Sequence, residues 1–347
     1  MFSLILTVGK VSAREIYYFK GRNYGSESVF NPISLFLNAG FDMIQVDRNR
    51  KIFNLPLNRG AKNVLRNLAN PFTPIRNYGT WNFIRDQILP ISFERNNAQY
   101  WPNYTLHLIG GGMTYVNMTE WYSYYKFPSP EIFSLLTYAM YHFINEAVEN
   151  DTHQGDNVDP IADIYIFDIG AVILFSFDNV KKFFAEDLNL ADWSLQPSFI
   201  LMDEPELHNN GQFFSIKWKF PFSDHLHLFY YFGTNGVGGL SYKFDSGEAI
   251  SLGVGMAASE FITLNAISNK KTLDLVWNLG LFYDLNNSLL ANISWTKKTD
   301  YMINVNIYPG LIKIGDISPG LWLAINKNGS SIWGLNFSWL PFGFALK

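Results

Sequence analysis

The sequence predicts an α+β protein, in which an N-terminal helical segment (residues 14–185) precedes an antiparallel transmembrane β-barrel of about ten to twelve strands (residues 193–347). Apolar residues recur at helical spacing before about Lys182 and at every second position after Ser194. Charged residues make up only 16% of the chain and aromatic residues 17%, whereas a soluble domain carries roughly 25% charged residues. We therefore expect the chain to expose less of its surface to water than a soluble protein does.

Five helices are expected in the first half of the chain. Ser129 and Asp159, each followed by proline, are expected to cap the helices that they begin. Gly110, Gly111 and Gly112 interrupt the third helix and weaken it by about 1 kcal/mol per glycine relative to alanine. The predicted helices are Gly60–Ala69, Thr80–Ile88, Tyr104–Tyr125, Pro130–Asn150 and Asp159–Phe184.

Ten strands are expected in the second half, separated by short turns rich in Asn, Asp, Gly and Ser. In Ala249–Ala257, for example, apolar side chains occupy every second position, with Ser or Gly between them. One or two more strands are expected from Ser194–Met202 or the N-terminus. The ten predicted strands are Gln212–Phe220, His225–Gly233, Gly238–Asp245, Ala249–Ala257, Phe261–Ile267, Leu273–Asp284, Leu289–Thr296, Tyr301–Ile307, Gly320–Asn326 and Ile332–Leu340.

Alternation alone does not distinguish a membrane barrel from a soluble barrel, whose apolar face points inward. Three observations favour the membrane. Many strands have about 9–11 residues, the length that crosses a bilayer when tilted. The positions between the apolar residues carry Gly, Ser, Asn and Thr rather than Lys and Glu. Trp218, Trp295 and Trp339 lie near strand ends, as in interfacial girdles.

The chain ends suggest a compartment and partners. Residues 1–13 are interpreted as the remnant of a signal peptide, because a short apolar run precedes Ser12 and Ala13. The last segment, Asn336–Lys347, resembles the terminal strand that bacterial barrel proteins present to their assembly machinery, although it ends in Lys. We therefore expect a Gram-negative outer membrane, with the lipid bilayer and the barrel assembly machinery as partners. The net charge of -4 argues against a nucleic-acid partner.

The helical half holds the candidate site. His142 and Glu146 are four residues apart, as are Asp159 and Asp163, so each pair shares a helix face. Asp168 follows in an otherwise apolar run. We expect His107, Glu146 and Asp163 to converge between helices, with His142, Asp159 and Asp168 completing a polar cluster. A His with two carboxylates can hold a divalent metal or act as a general base toward a lipid ester, whereas helix capping and ion pairing are the structural alternatives.

The order of these residues is similar to a pattern in VanZ-like membrane proteins and in uncharacterised bacterial outer-membrane proteins with a helical segment before the barrel. One helix carries a His near its start, the next ends in a Glu, and a third begins with an Asp-containing turn and continues as an apolar, glycine-containing stretch. The matching positions are His107, Glu146, Asp159 with Asp163, and Asp168–Gly170, within roughly residues 103–176. The resemblance implies a packing arrangement with a polar centre. These helices are more interrupted than the membrane-spanning helices of VanZ-like proteins.

Three classes of function fit these residues. A structural or envelope-organising protein without turnover fits best, because the chain has no nucleophile elbow, HExxH motif or phosphate loop. The alternatives are a membrane-embedded lipid hydrolase that uses His107, Glu146 and Asp163, and a narrow channel gated by the helical segment. No cofactor is expected unless the cluster holds a divalent metal, and the lack of cysteine excludes thiolate ligands.

Overall fold

The computed structural model describes residues 15–47, 49–90, 101–265 and 270–347. Within these ranges the first half of the chain is helical and the second half forms one large, mostly antiparallel sheet. The α+β class is therefore confirmed, with the change from helix to strand near Leu190, where the apolar spacing changes. The predicted signal segment, residues 1–13, lies outside the described residues.

The helical half consists of α-helices joined by π-helical turns, and every predicted helix overlaps one or more of these elements. The α-helices are α1 (Gly25–Ser28), α2 (Pro32–Leu35), α3 (Ile44–Asp47), α4 (Leu57–Ala69), α5 (Phe72–Tyr78), α6 (Thr80–Phe83), α7 (Gly111–Tyr124), α8 (Pro130–Asn150), α9 (Asp159–Ala162), α10 (Ile169–Leu174) and α11 (Asp178–Lys182). The π-helical segments are Phe36–Gly40, Ile84–Ile88, Trp101–Gly110, Asp163–Asp168 and Phe183–Asp187, and Ile52–Asn54 forms a 3-10 turn.

Two details of the predicted helices are wrong. The chain bends by 88° between α10 and α11, so Asp159–Phe184 is not one helix. Ser129 has a φ of 53° and makes no capping hydrogen bond, and Asp159 is the first residue of α9 rather than its cap. Proline at the start of α8 and α9 suits the first helical turn without a side-chain cap, because it has no N–H to satisfy.

A helix crosses a membrane only if it is both long and apolar enough. In the described part of the chain, no single helix is both long and apolar enough to cross a membrane. One bent pair of helical segments has the length and the apolar composition of a membrane span, but only when both segments are counted together. These segments are Asp159–Leu174 and Asp178–Asp187.

Thirteen strands form the described sheet, compared with the ten to twelve predicted, and the strands beyond the ten long predictions have only two to four residues. The strands are β1 (Ala191–Asp192), β2 (Ser198–Ile200), β3 (Glu206–His208), β4 (Phe214–Lys219), β5 (Leu226–Phe232), β6 (Asn235–Lys243), β7 (Glu248–Asn265), β8 (Lys270–Leu285), β9 (Ser288–Thr296), β10 (Ile303–Ile307), β11 (Pro319–Ile325), β12 (Ser331–Phe337) and β13 (Gly343–Leu346). The predicted strand Ala249–Ala257 and the described part of Phe261–Ile267 both fall on β7, which is continuous to Asn265 and carries a register shift at Ala258–Glu260. Residues 266 and 267 lie outside the described residues.

The strands β4 to β13 pair with their neighbours in chain order, all antiparallel. The segment 191–200 contacts both ends of this series. Its first part, Ala191–Leu195, pairs antiparallel with residues 211–215, and its last part, Ser198–Ile200, runs parallel to β13. One extended segment therefore lies against the first and the last strand of the series.

The two faces of the sheet differ in exposure, as alternate residues of a strand point to opposite sides. We call the face that carries the buried aromatic cluster the inner face; its residues include Trp193, Phe229, Tyr231, Val237, Phe282 and Tyr308. On the outer face, one row of apolar side chains crosses ten neighbouring strands in register: Trp218, Leu228, Leu240, Leu252, Leu281, Ile293, Val305, Leu323, Trp333 and Leu346. Most of this row is exposed in the structure.

The helical half packs on the outer face, at one end of β4 to β6. The Trp101 ring meets the Tyr230 ring edge-on, with centroids 5.7 Å apart. Phe214 and Phe232 lie in one buried cluster with Met113 of α7 and other helical residues. These helices therefore cover apolar positions that continue the outer face, whereas Val29, after α1, packs into the aromatic cluster of the inner face.

Candidate functional site

Three helical segments bring the predicted polar residues together. His107 lies on the π-helical segment before α7, and His142 and Glu146 lie one turn apart on α8. Asp163 and Asp168 are the first and last residues of a second π-helical segment. Hydrogen bonds in a π-helix join residues five apart, so Asp163 and Asp168 face the same side, which ordinary α-helical spacing would not allow.

Asp168 is the centre of the hydrogen-bond network. Its Oδ1 lies 3.2 Å from His107 Nδ1 and accepts a hydrogen bond of 3.2 Å from the Tyr138 hydroxyl. Its Oδ2 lies 3.0 Å from His142 Nδ1. The other ring nitrogen of that imidazole, His142 Nε2, lies 2.6 Å from the Tyr141 hydroxyl. Asp168 thereby fixes the orientation of both imidazoles, as carboxylates beside catalytic and metal-bound histidines do.

The other side of His107 faces two further carboxylates. His107 Nε2 lies 3.5 Å from Asp163 Oδ2, and one ligand atom each of His107, Glu146 and Asp163 lies within 4.8 Å of the other two. Asp163 Oδ1 is buried and has no hydrogen-bond partner among the described residues. The expected convergence of His107, Glu146 and Asp163 is thus present in the geometry, while their chemical role stays a prediction.

A cavity of about 100 Å³ opens beside this cluster. His107, His142 and Asp163 line it, and so does Asp159, which therefore lies at the wall of the cavity. A water molecule needs roughly 10–15 Å³ of such a volume. The cavity is therefore large enough for several waters or for the reactive end of a substrate.

Burial, hydrogen bonds and neighbouring charges shift the pKa values of Asp168, His107 and His142 by different amounts and in different directions. Burial raises the pKa of Asp168, but His142 and His107 outweigh burial and lower that pKa to about 2. Burial lowers the pKa of His142 more than Asp168 raises it, so His142 is neutral. Burial also lowers the pKa of His107, but Asp163 and Asp168 raise it to about 9.

The two remaining carboxyl groups are held away from their ionised forms. Burial raises the pKa of Glu146 well above its usual range, and the carboxylates of Asp163 and Asp159 raise it further. Burial also raises the pKa of Asp163 well above its usual range, against the opposing charge of His107. In such surroundings a carboxylate pair needs a proton or a nearby cation.

Tyr138 and Tyr141 belong to the network but are not among the predicted site residues. The signal in the sequence that points to Tyr138 is Gly111, because a Cβ at that position would collide with the Tyr138 hydroxyl. A Cβ at Gly112 would likewise collide with the ring of Phe175. The glycines therefore allow close packing around the site, in addition to lowering the intrinsic stability of the helix.

The fold and the site define a two-part protein, with an antiparallel sheet that exposes an apolar face and a helical half that buries a His-carboxylate centre. Comparisons with protein-family models, with curated proteins and with solved structures find no match to this chain. Function must therefore be inferred from the residues of the site and from the surfaces around it.

Proposed function

We propose that this chain is an outer-membrane β-barrel protein whose helical half hydrolyses ester bonds of membrane lipids. The observation that carries the proposal is the buried cluster of two imidazoles and three carboxyl groups, of which His107, His142 and Asp163 line a cavity. Ionisable groups with strongly perturbed pKa values that converge on a cavity are typical of catalytic sites. Within the cluster, Asp163 Oδ1 is buried and has no hydrogen-bond partner in the described part of the chain, so it is available to a ligand.

Two features support the barrel. The segment 191–200 lies against both β4 and β13 and is the natural place for the ends of the sheet to meet. The apolar row from Trp218 to Leu346 would then face lipid around the barrel. The bilayer would be the partner of this face, and the barrel assembly machinery would insert it into the outer membrane.

The position of the helical half supports a lipid substrate. Its helices pack on the outer face of β4 to β6, the face that would contact the bilayer. They also expose apolar side chains of their own, including Ile132, Leu136, Met140, Ile166, Ile169 and Ile173. The cavity is lined partly by Phe214, an outer-face residue of the sheet. An acyl chain in the membrane would therefore have a short apolar path to the polar centre.

The proposed reaction is the addition of water to an ester. A water oxygen attacks the carbonyl carbon and passes its proton to Tyr141, while Tyr141 donates its own proton to the neutral His142 Nε2. Asp168 holds His142 in place through Nδ1. The bond from the carbonyl carbon to the alcohol oxygen then breaks, and the alcohol leaves with the proton from His142. The products are a fatty acid and an alcohol. His107 and Asp163 line the cavity that would hold the attacking water, and Glu146 lies within 4.8 Å of both.

The channel alternative has no observation in its favour. Trp193, Phe229 and Phe282 are packed together on the inner face, where a channel would need open space. The cavity near this face measures about 60 Å³ and holds only a few waters.

The barrel is tested by the electrophoretic mobility of the detergent-extracted, full-length protein, boiled and unboiled. A folded membrane barrel is expected to migrate differently before boiling. Equal mobility together with solubility in buffer without detergent would contradict the membrane barrel.

The hydrolase is tested in lipid vesicles that contain a fluorogenic phospholipid, by following the release of fatty acid. We expect H142A, which removes the proposed proton acceptor, to lower the rate at least about 100-fold. H107A, E146Q and D163N should lower it as well, and all four variants should keep the mobility shift. H153A is the matched control, because His153 lies in the same half but outside the cluster. A folded wild-type protein that releases no fatty acid would contradict the hydrolase and would favour the envelope-organising function.

A further inference from the structure

We infer that His107, Glu146 and Asp163 form a binding site for one divalent transition-metal ion. This inference rests on the site assigned under the proposed function, and it names the group that would activate the attacking water. Each of the three residues offers one ligand atom, and these atoms lie within 4.8 Å of one another. Metal–ligand bonds of about 2.0–2.2 Å place ligand atoms at separations of this size around a shared ion.

The hydrogen bonds of His107 select this set of ligands. A second group of three, His107, His142 and Asp168, is equally compact. In that group, however, Asp168 already accepts from Nδ1 of both imidazoles. An imidazole whose Nδ1 donates to a carboxylate binds metal through Nε2. His107 Nε2 points toward Asp163, and His142 Nε2 is occupied by Tyr141.

Asp163 provides the independent sign of a missing partner. The residue is 5% exposed, and its Oδ1 has no hydrogen-bond partner among the described residues. Leaving a buried carboxyl oxygen unsatisfied is energetically unfavourable. The same residue lines the cavity of about 100 Å³, so an ion and its remaining water ligands have space beside it.

The donor set indicates the class of metal. One imidazole nitrogen and two carboxylate oxygens suit Zn²⁺, Mn²⁺ or Fe²⁺, whereas Ca²⁺ and Mg²⁺ prefer all-oxygen ligands. Three protein ligands leave a coordination position for water, which is the arrangement of catalytic rather than structural zinc sites. Asp168, with Tyr138 donating to it, would be a positioning residue that orients His107.

The test is titration of the metal-stripped, full-length protein in detergent with Zn²⁺ and with Mn²⁺, followed by calorimetry. We expect saturable binding of one ion per chain to the wild type, weaker by about 100-fold or more in H107A and D163N, and weaker by about 10–100-fold in D168N. H153A should bind as the wild type does. The electrophoretic mobility shift shows in parallel that each variant is folded.

The outcomes separate the metal site from the hydrolase. Absence of saturable binding of either ion to the folded wild type would overturn the metal site, and so would unchanged affinity in both folded H107A and folded D163N. Ester hydrolysis that persists in the metal-stripped protein would keep the hydrolase and overturn the metal as its activator. Saturable binding lost in the variants, without any hydrolysis in the wild type, would keep the metal site and overturn the hydrolase.

Discussion

The sheet and the helical half both bury charged side chains, but they satisfy them differently. On the inner face of the sheet, Lys217 Nζ lies 2.7 Å and 2.8 Å from the two oxygens of Asp284. Asp284 also accepts from the backbone N–H of Asn287, and Lys217 lies over the Trp193 ring. One cation therefore meets one anion, with well-formed hydrogen bonds around both.

The helical cluster has no such balance. Two imidazoles meet three carboxyl groups, Glu146, Asp163 and Asp168, and one oxygen of Asp163 has no partner in the described part of the chain. Removing one partner of a charged pair leaves an uncompensated charge, whereas removing a carboxyl group that burial holds protonated leaves none. Buried charge is therefore expected to hold the sheet together in one region and to serve chemistry in the other.

The largest effect is expected from breaking the Lys217–Asp284 pair. K217M leaves the Asp284 carboxylate buried without its cation, and this should lower the free energy of unfolding by about 3–5 kcal/mol. The measurement is urea unfolding in detergent micelles, followed by tyrosine and tryptophan fluorescence. The double variant K217M/D284L should recover most of the loss, and a double variant no more stable than K217M would show that the pair is not the source of the effect.

Asp42, at the edge of the cavity, is a buried acid with amides rather than an ammonium group as its hydrogen-bond partners. Burial raises the pKa of Asp42 to about 7, against the opposing effects of Gln212, Lys298 and Gln45. The stability that this acid contributes is fully present below about pH 4 and is lost as the pH rises to about 7, because the folded state holds the proton longer. The difference corresponds to roughly 4 kcal/mol.

The D42N variant should therefore lose much of this pH dependence. Urea unfolding of wild type and D42N at pH 5 and at pH 8 measures it, and D42N should gain stability relative to the wild type at the higher pH. Identical pH dependence in the two proteins would mean that Asp42 titrates in the folded protein as an ordinary, exposed acid.

Much of the sheet could be predicted from the sequence, because each long strand repeats its alternation several times. β1, β2 and β3 have two or three residues each, which is too short for a period to be recognised. His208 lies on β3, in a stretch where no strand is predicted, for the same reason. The bend after α10 is not predicted, because the apolar run Ile164–Phe177 ends only at the bend and the apolar residues Val180, Phe183 and Phe184 follow soon after it.

The site could be predicted only in part. The spacing of His142 and Glu146 on α8 fixes their common face, but Asp163 and Asp168 share a face only because their segment is π-helical. Tyr138 and Tyr141 are ordinary apolar-face residues in a sequence pattern. Their role depends on contacts between helices, which close approach at Gly111 makes possible.

The two faces of the sheet also differ from each other. The outer face is apolar, whereas the inner face carries both polar and apolar side chains. Val254 is 66% exposed on β7. If this face contacts lipid, V254R should lower the free energy of unfolding by about 2–4 kcal/mol for the protein folded into vesicles. The control is N328R, in the turn between β11 and β12. A V254R protein as stable as N328R would mean that water rather than lipid covers this face.

The smallest effect on stability, with the largest expected effect on function, belongs to Asp163. D163N replaces a buried carboxyl group whose Oδ1 has no described partner and whose Oδ2 lies a long 3.5 Å from His107 Nε2. We expect the free energy of unfolding of the metal-free protein to change by less than about 1 kcal/mol, or to rise, as at other functional sites where activity opposes stability. D168N is the matched control, since Asp168 accepts from His107, His142 and Tyr138, and it should lose about 1–3 kcal/mol. If D163N were the more destabilising of the two, Asp163 would hold the helices together, and the contrast between a structural sheet and a functional helical cluster would fail.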